Sequence, residues 1–215
     1  MADNNVNRSE ILFNRIKKEI PGVKIVLHKN SRLMTVIHWI LRNVFRQKHV
    51  SESYTTTIAK TIYVPNTFNK WHPNAQYKLL RHELIHLRQF RKWPFPFLGI
   101  PVLWWFNCVI FSFFYLFVLP LKVTFRARFE KQAYTQSLLS AFELGQINLE
   151  NPDEWKVWAE DMERQFGTGA YFFMARKGEG AKFAYDTLEL IKCGIITSNI
   201  NDVVCPVVRK KHQDS

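Results

Sequence analysis

The residues His82, Glu83 and His86 belong to the run His-Glu-Leu-Ile-His, which lies in a stretch, residues 73–92, without glycine or internal proline. Leucines recur at helical spacing there, which predicts a helix that starts at Pro73. On a helix, His82 and His86 project from the same face, so their imidazoles can bind one zinc ion. Glu83 then lies beside the metal, where it can accept a proton from a zinc-bound water. The alternative is a pair of surface histidines with a solvated glutamate.

A catalytic zinc ion has three protein ligands and an open position, so the two histidines need a third partner. Glu130 is the preferred residue, because it stands near the start of a helix predicted over residues 126–144, which can pack against the first helix. Glu143 is the alternative ligand. Tyr134 lies one helical turn after Glu130, so its hydroxyl can stabilise a developing oxyanion or hold Glu130 in place. Without a metal, Glu130 is an ordinary acid at a helix start.

The His-Glu-Leu-Ile-His run, followed by Phe-Glu-Lys-Gln-Ala-Tyr at residues 129–134, resembles the gluzincin type of zinc metallopeptidase (HExxH…E). The chain is most similar to the short peptidases encoded in phage and bacterial genomes. Residues 54–65, rich in threonine and ending in Ile-Tyr-Val-Pro, are also similar to theirs. The resemblance covers about residues 50–145.

The resemblance implies a particular set of roles. Zn²⁺ would be bound by His82, His86 and Glu130, and Glu83 would be the general base. The candidates for the family's transition-state Tyr or His are Tyr134 and Tyr171. The expected fold is α+β and zincin-like, mostly helical, with a small sheet beside the HExxH helix and an apolar hairpin insertion.

Hydrophobic periodicity and capping residues predict the elements that must position this site. Helices are expected over 9–20, 32–45, 73–92, 126–144, 152–166 and 181–193. Ser9, Ser31 and Asn151 are the predicted capping residues. Short strands are expected over 23–28 and 54–64. In the usual layout of a zinc peptidase, the strand before the HExxH helix is an edge strand that pairs with an extended substrate. An interior strand with no substrate role is the alternative.

Residues 93–121 contain no charged side chain, and residues 102–119 alone are long enough to cross a membrane by hydropathy. A single crossing would place His82 and His86 on the opposite side of the bilayer from Glu130. The shared zinc site therefore predicts a segment that enters and leaves on one face. Division near Asn107 gives two arms of about 14 residues, each too short to span. We expect a re-entrant or monotopic hairpin, with an apolar plug buried in the protein or a partner subunit as the alternative.

The charge of this 215-residue chain is uneven. Its net charge is +12, and residues 1–100 hold 17 Lys and Arg against 5 Asp and Glu. No nucleic-acid-binding motif accompanies the basic half, so an anionic membrane surface is the favoured partner and no nucleic acid is expected. Residues 32–45 are a candidate for a basic amphipathic helix on that surface, although an ordinary core helix fits the same pattern. The three widely spaced cysteines indicate a reducing compartment, and the polar N-terminus is no signal peptide.

These observations predict one folding unit with three parts: a basic helical segment (1–50), a catalytic core with the apolar insertion (51–145) and a helical segment (146–215). The expected function is zinc-dependent hydrolysis of peptide bonds in a peptide or protein substrate, at the cytoplasmic face of a membrane. Two alternatives remain. One is a non-catalytic membrane-associated or assembly protein on a zincin scaffold. The other is a zinc hydrolase of a non-peptide amide.

Overall fold

A computed structural model describes residues 8–43, 55–92, 125–167 and 176–197. These residues form six α-helices and three short strands. In chain order they are α1 (Arg8–Glu19), β1 (Lys24–Leu27), α2 (Arg32–Asn43), β2 (Thr56–Ile58), β3 (Thr61–Val64), α3 (Pro73–Lys92), α4 (Phe125–Glu143), α5 (Pro152–Gly167) and α6 (Glu179–Lys192). The predicted α+β class, mostly helical with a small sheet, is confirmed. The apolar hairpin predicted over 93–121 lies outside the described residues.

The three strands form one mixed sheet in the order β1-β3-β2. The central strand β3 runs parallel to β1 and antiparallel to β2, so that Ile62 lies opposite both Ile25 and Thr57. The single strand predicted over 54–64 is therefore wrong. The chain reverses at Ala59 and Lys60, with Ala59 at a φ of 55°. This turn lacks the glycine or asparagine that normally marks a tight hairpin, and its neighbours are β-branched on both sides. The sequence pattern therefore predicts one continuous strand.

Helices α1 and α3 pack together against the sheet and form the first hydrophobic core. Its fully buried side chains include Ile16 of α1, Ile62 of β3 and Leu80 of α3. The two helices run in the same direction. Ser9 donates a hydrogen bond to Gln76 near their N-terminal ends, and Arg88 makes an ion pair with Glu19 at 2.7 Å near their C-terminal ends. The predicted capping role of Ser9 is wrong, because this buried residue lies inside α1 and bonds across to α3.

Helix α4 packs against α3 on one side and contributes to the remaining cores with α5 and α6. One core joins Leu138 of α4 to Leu188 of α6, and another joins Tyr134 of α4 to Phe166 of α5. Both cores exclude water from α4, so this long helix is held between two layers. Its fixed position matters for the site, because Glu130 lies on α4.

Other predicted capping residues are confirmed. The backbone N–H of Met34 donates to Ser31 Oγ at the start of α2, and that of Asp153 donates to Asn151 at the start of α5. Helix α6 begins two residues before the predicted 181. Among the described residues, none of the helices combines the length and apolar character needed to cross a membrane.

Candidate metal centre

Three side-chain atoms converge between α3 and α4. The Nε2 atoms of His82 and His86 lie 3.2 Å apart. Oε2 of Glu130 lies 3.5 Å from Nε2 of His82 and 3.6 Å from Nε2 of His86. Among the described residues, this is the one group of histidine, cysteine and acidic side chains arranged to hold a metal ion. The structure therefore brings together the three residues that the sequence predicts as ligands.

The triangle of atoms has the dimensions that a small divalent cation requires. Tetrahedral zinc bonds nitrogen and oxygen ligands at about 2.0–2.1 Å, which places neighbouring ligand atoms about 3.4 Å apart. The three observed separations, 3.2, 3.5 and 3.6 Å, lie close to this value. Two imidazoles and one carboxylate are also a donor set that zinc accepts in catalytic sites. The residues present thus fit a divalent metal ion in both geometry and chemistry.

The imidazole rings are oriented by hydrogen bonds at their other nitrogen atoms. Nδ1 of His82 lies 3.1 Å from Ser137 Oγ, and Nδ1 of His86 lies 3.0 Å from Gln89 Oε1. The Gln89 oxygen is an acceptor only, so Nδ1 of His86 carries a proton, and Nε2 would present its lone pair to a bound metal ion. Such partners fix the tautomer and the ring plane of a metal-binding histidine.

The Gln89 side chain also connects the two helices that carry the site. Its amide nitrogen donates to the carbonyl oxygen of Phe129 at 3.0 Å and to Gln132 Oε1 at 2.9 Å. Gln89 therefore holds α4 in register with α3, one residue before Glu130. This role is not among those predicted from the sequence. Gln89 stands three residues after His86 on the predicted helix, and that spacing is the available sequence clue.

In the absence of a metal ion, a positive and a negative side chain pair within the site. Burial alone would lower the pKa of His86, but Glu130, with smaller contributions from Glu83 and Gln89, raises the pKa to about 9. Burial alone would raise the pKa of Glu130, but His86 and His82 hold the pKa of this carboxyl well below its ordinary value. In the metal-free protein, His86 is therefore a cation paired with an ionised Glu130.

Glu83 is buried against the sheet, with only 3 % of its surface exposed. Its Oε2 atom accepts a hydrogen bond of 2.7 Å from the hydroxyl of Thr57, on the edge strand β2. The carboxylate is therefore held from the sheet side, while Oε1 is the oxygen that Thr57 does not engage. Sequence reasoning missed Thr57, because nothing in a run of three threonines distinguishes the one that faces α3.

Tyr134 packs its ring against His82, one of the three candidate ligands. Its centroid lies 4.8 Å from that of His82, in an edge-to-face arrangement, and its other side contacts Phe166. The ring is nearly fully buried, so it supports the position of His82 and closes this side of the site. Its predicted catalytic role stays a prediction. Tyr171 and the residues beyond 197 lie outside the described residues.

Glu143, the alternative ligand, is placed elsewhere. It forms an ion pair with Arg81, which is 2 % exposed and also donates to Gln136 Oε1 at 2.7 Å. Tyr77 contributes its hydroxyl to the same group. Arg81 precedes His82 by one residue but extends to a different part of α4. This buried network is a second link between α3 and α4, and the choice of Glu143 as a ligand is not supported by its position.

Comparison of the chain with protein-family models, with curated proteins and with solved structures finds no match. The class of site is therefore defined by its own geometry: two histidines of one helix and a glutamate of a second, with a buried glutamate between the histidines.

Proposed function

We propose that this protein is a zinc-dependent peptidase of the gluzincin type that acts at a membrane surface. The observation that carries the proposal is the triangle of His82, His86 and Glu130 with separations of 3.2–3.6 Å. A purely structural zinc site usually has four protein ligands, whereas this group supplies three and leaves room for substrate chemistry. Bound Zn²⁺ would supply Lewis-acid chemistry, by polarising a substrate carbonyl and lowering the pKa of water.

The role proposed for Glu83 follows from its position and from its neighbours. It follows His82 directly on α3, so its carboxylate lies beside the ligands without being one of them. Glu83 would accept a proton from the attacking water and return it to the amine of the leaving group. The hydroxyl of Thr57 donates to Oε2 of Glu83, so Oε1 is the oxygen that would accept the proton. The same hydrogen bond fixes the orientation of the carboxylate.

The substrate would lie along β2. Among the described residues, β2 has a hydrogen-bonded neighbour on one side only, which is β3. Thr57 of β2 donates the hydrogen bond to Glu83. An extended peptide added at its other edge would run past the general base. This arrangement favours peptide bonds over other amides, because strand addition uses the repeating backbone groups of a polypeptide. The zincin fold and this substrate position are part of the proposal.

The ends of the apolar segment limit the way in which it could enter a membrane. Gln89 and Phe129, on either side of residues 93–124, are joined by a hydrogen bond of 3.0 Å. A single crossing would separate them by about 30 Å of hydrocarbon. Two helical crossings would need about 40 residues, more than the intervening chain provides. We therefore propose a segment that dips into one leaflet from the cytoplasmic face and returns to the same side.

The decisive experiment compares Glu83→Gln with the unaltered protein on fluorescently labelled casein. Glu83→Gln retains the shape of the side chain but removes the proton acceptor, so we expect hydrolysis to fall by at least a hundredfold. Zinc content, measured by atomic absorption, should stay near one ion per chain. Glu130→Ala should instead lose zinc. Hydrolysis that survives Glu83→Gln would contradict the mechanism, and an inactive but zinc-loaded parent protein would favour a non-catalytic role.

A further inference from the structure

Helix α2 presents an exposed apolar strip. Leu33, Val36 and Trp39 follow one another at intervals of three residues, so they lie along one side of the helix. Their exposed fractions are 45 %, 54 % and 64 %. Single exposed apolar residues are ordinary on a soluble protein, but a continuous strip that ends in a tryptophan indicates a contact surface.

The opposite side of α2 anchors the helix to the protein. Met34 is fully buried, and the ring of His38 packs edge-to-face on His28 with centroids 4.9 Å apart. Burial lowers the pKa of His38, so this side chain is neutral at neutral pH. The strip of Leu33, Val36 and Trp39 is therefore not the side with which α2 packs on its own domain.

The chain on either side of the strip carries charges of one sign. No acidic residue occurs between Glu19 and Glu52, whereas six basic residues do: Lys24, Lys29, Arg32, Arg42, Arg46 and Lys48. Arg32 and Arg42 are exposed on α2 itself, near its two ends. An apolar strip flanked by arginines complements an anionic bilayer, where side chains enter the headgroup region and the cations meet lipid phosphates. Tryptophan is the residue that most favours this interface.

We propose that α2 is a docking surface for anionic lipid bilayers. Leu33, Val36 and Trp39 enter the boundary between headgroups and acyl chains, and Arg32 and Arg42 bind anionic headgroups. Unlike α2, the segment 93–121 itself contains no charged side chain. The inference does not rest on peptidase activity, because α2 contributes no residue to the metal centre. It adds lipid selectivity to membrane association.

The test measures sedimentation of the full-length protein with vesicles of phosphatidylcholine, with and without phosphatidylserine. We expect the unaltered protein to bind the anionic vesicles more tightly, and added salt to remove the difference. The variant Leu33→Ser/Val36→Ser/Trp39→Ser should lose at least tenfold in partitioning to anionic vesicles. Its matched control replaces three exposed apolar residues elsewhere: Ile11→Ser/Val157→Ser/Ile195→Ser. The control should bind as the parent does.

The charge contribution is tested separately. Arg32→Gln/Arg42→Gln should weaken binding to anionic vesicles by about 30-fold at low salt, since each interfacial arginine contributes roughly fivefold. Lys156→Gln/Lys182→Gln, which removes two exposed charges from α5 and α6, is the control and should have little effect. Neither of these two variants should change binding to phosphatidylcholine alone. If the triple variant does not fold, Trp39→Ser alone replaces it, with Val157→Ser as its control.

Three results would overturn the proposal. One is equal binding of the parent protein to both kinds of vesicle. Another is full binding of the triple variant, or of Trp39→Ser if that replaces it, to anionic vesicles. The third is a change of oligomeric state in that variant without loss of vesicle binding, which would make the strip a contact between copies of this chain. Zinc content measured on every variant separates these outcomes from damage to the metal centre.

Discussion

The hydroxyl of Thr57 donates a hydrogen bond of 2.7 Å to Oε2 of Glu83, and so joins the edge strand to the helix that carries the histidines. The bond matters because Glu83 has a rotatable side chain in a buried position. A general base must point at the proton that it accepts, and a neighbouring donor restricts its rotation. Thr57 would therefore be a positioning residue for the proposed reaction.

Replacement of Thr57 tests this relationship. Thr57→Val keeps the β-branched shape but removes the donor, and we expect kcat on labelled casein to fall about tenfold, as is typical for loss of a supporting hydrogen bond. KM and zinc content should change little, because neither the ligands nor the strand edge is altered. Thr57→Ser retains the hydroxyl and should recover most of the activity. Full activity in Thr57→Val, or a loss in Thr57→Ser as large as that in Thr57→Val, would contradict the role of the hydroxyl.

The contrast between the two candidate glutamates provides a second prediction. Glu143→Gln should retain zinc, whereas Glu130→Gln should lose it, because only Glu130 lies within 3.6 Å of both imidazoles. The number of zinc ions per chain is measured after dialysis against a weak chelator. Equal loss in the two variants would show that Glu143 reaches the metal.

Arg81 should be important for stability rather than for metal binding. It is 2 % exposed and pairs with Glu143 and Gln136, so Arg81→Ala leaves the partly buried carboxylate of Glu143 without its cation. We expect a loss of about 3 kcal/mol in the free energy of unfolding by urea. The control is Arg164→Ala on α5, whose arginine is largely exposed in its pair with Asp161 and should contribute under about 1 kcal/mol. A small effect of Arg81→Ala would contradict the buried network.

The candidate ligands could be predicted from the sequence better than their surroundings. The predicted bounds of α3, 73–92, are confirmed, because proline marks its start and no breaker interrupts it. Glu130 could be selected because a carboxylate on a second helix is what a histidine pair lacks. Thr57 and Gln89 could not, since a hydrogen bond between distant elements leaves no periodic pattern. The hairpin in 54–64 was missed for a related reason: tertiary pairing, rather than turn residues, reverses the chain at Ala59.

Proton and metal should compete at His86. The pKa of His86 is raised to about 9 in the metal-free protein, but the imidazole must be neutral to bind a cation. Zinc affinity should therefore increase by about tenfold per pH unit between pH 7 and pH 9, as one proton is displaced. Competition titration with a chelator of known pH dependence measures this change. An affinity that does not vary over this range would show that His86 is already neutral.

Metal-free stability should follow the opposite trend. The pKa of His86 is higher in the folded state than its ordinary value of 6.5, so its stabilising effect is complete below pH 6.5 and is lost as pH rises towards 9. The midpoint of thermal unfolding, measured with a chelator present, should therefore decrease from pH 6.5 to 9. Glu130→Gln removes the partner that raises the pKa and should flatten this dependence. A decrease of the same size in that variant would assign the effect to another group.

Gly180 tests the packing of the C-terminal helices independently of the site. A Cβ atom at this position would lie 2.7 Å from both Glu163 Cα and Met162 O, which are backbone atoms of α5 that cannot easily move. Gly180→Ala should therefore lower the free energy of unfolding by about 1–3 kcal/mol. Gly167→Ala is the matched control, since the nearest neighbour of its Cβ would be the flexible end of Glu163 at 3.8 Å. Zinc content should be unaffected by both changes. An unchanged free energy of unfolding in Gly180→Ala would contradict the close packing of α5 on α6. The layer that holds Tyr134 against His82 would then need another support.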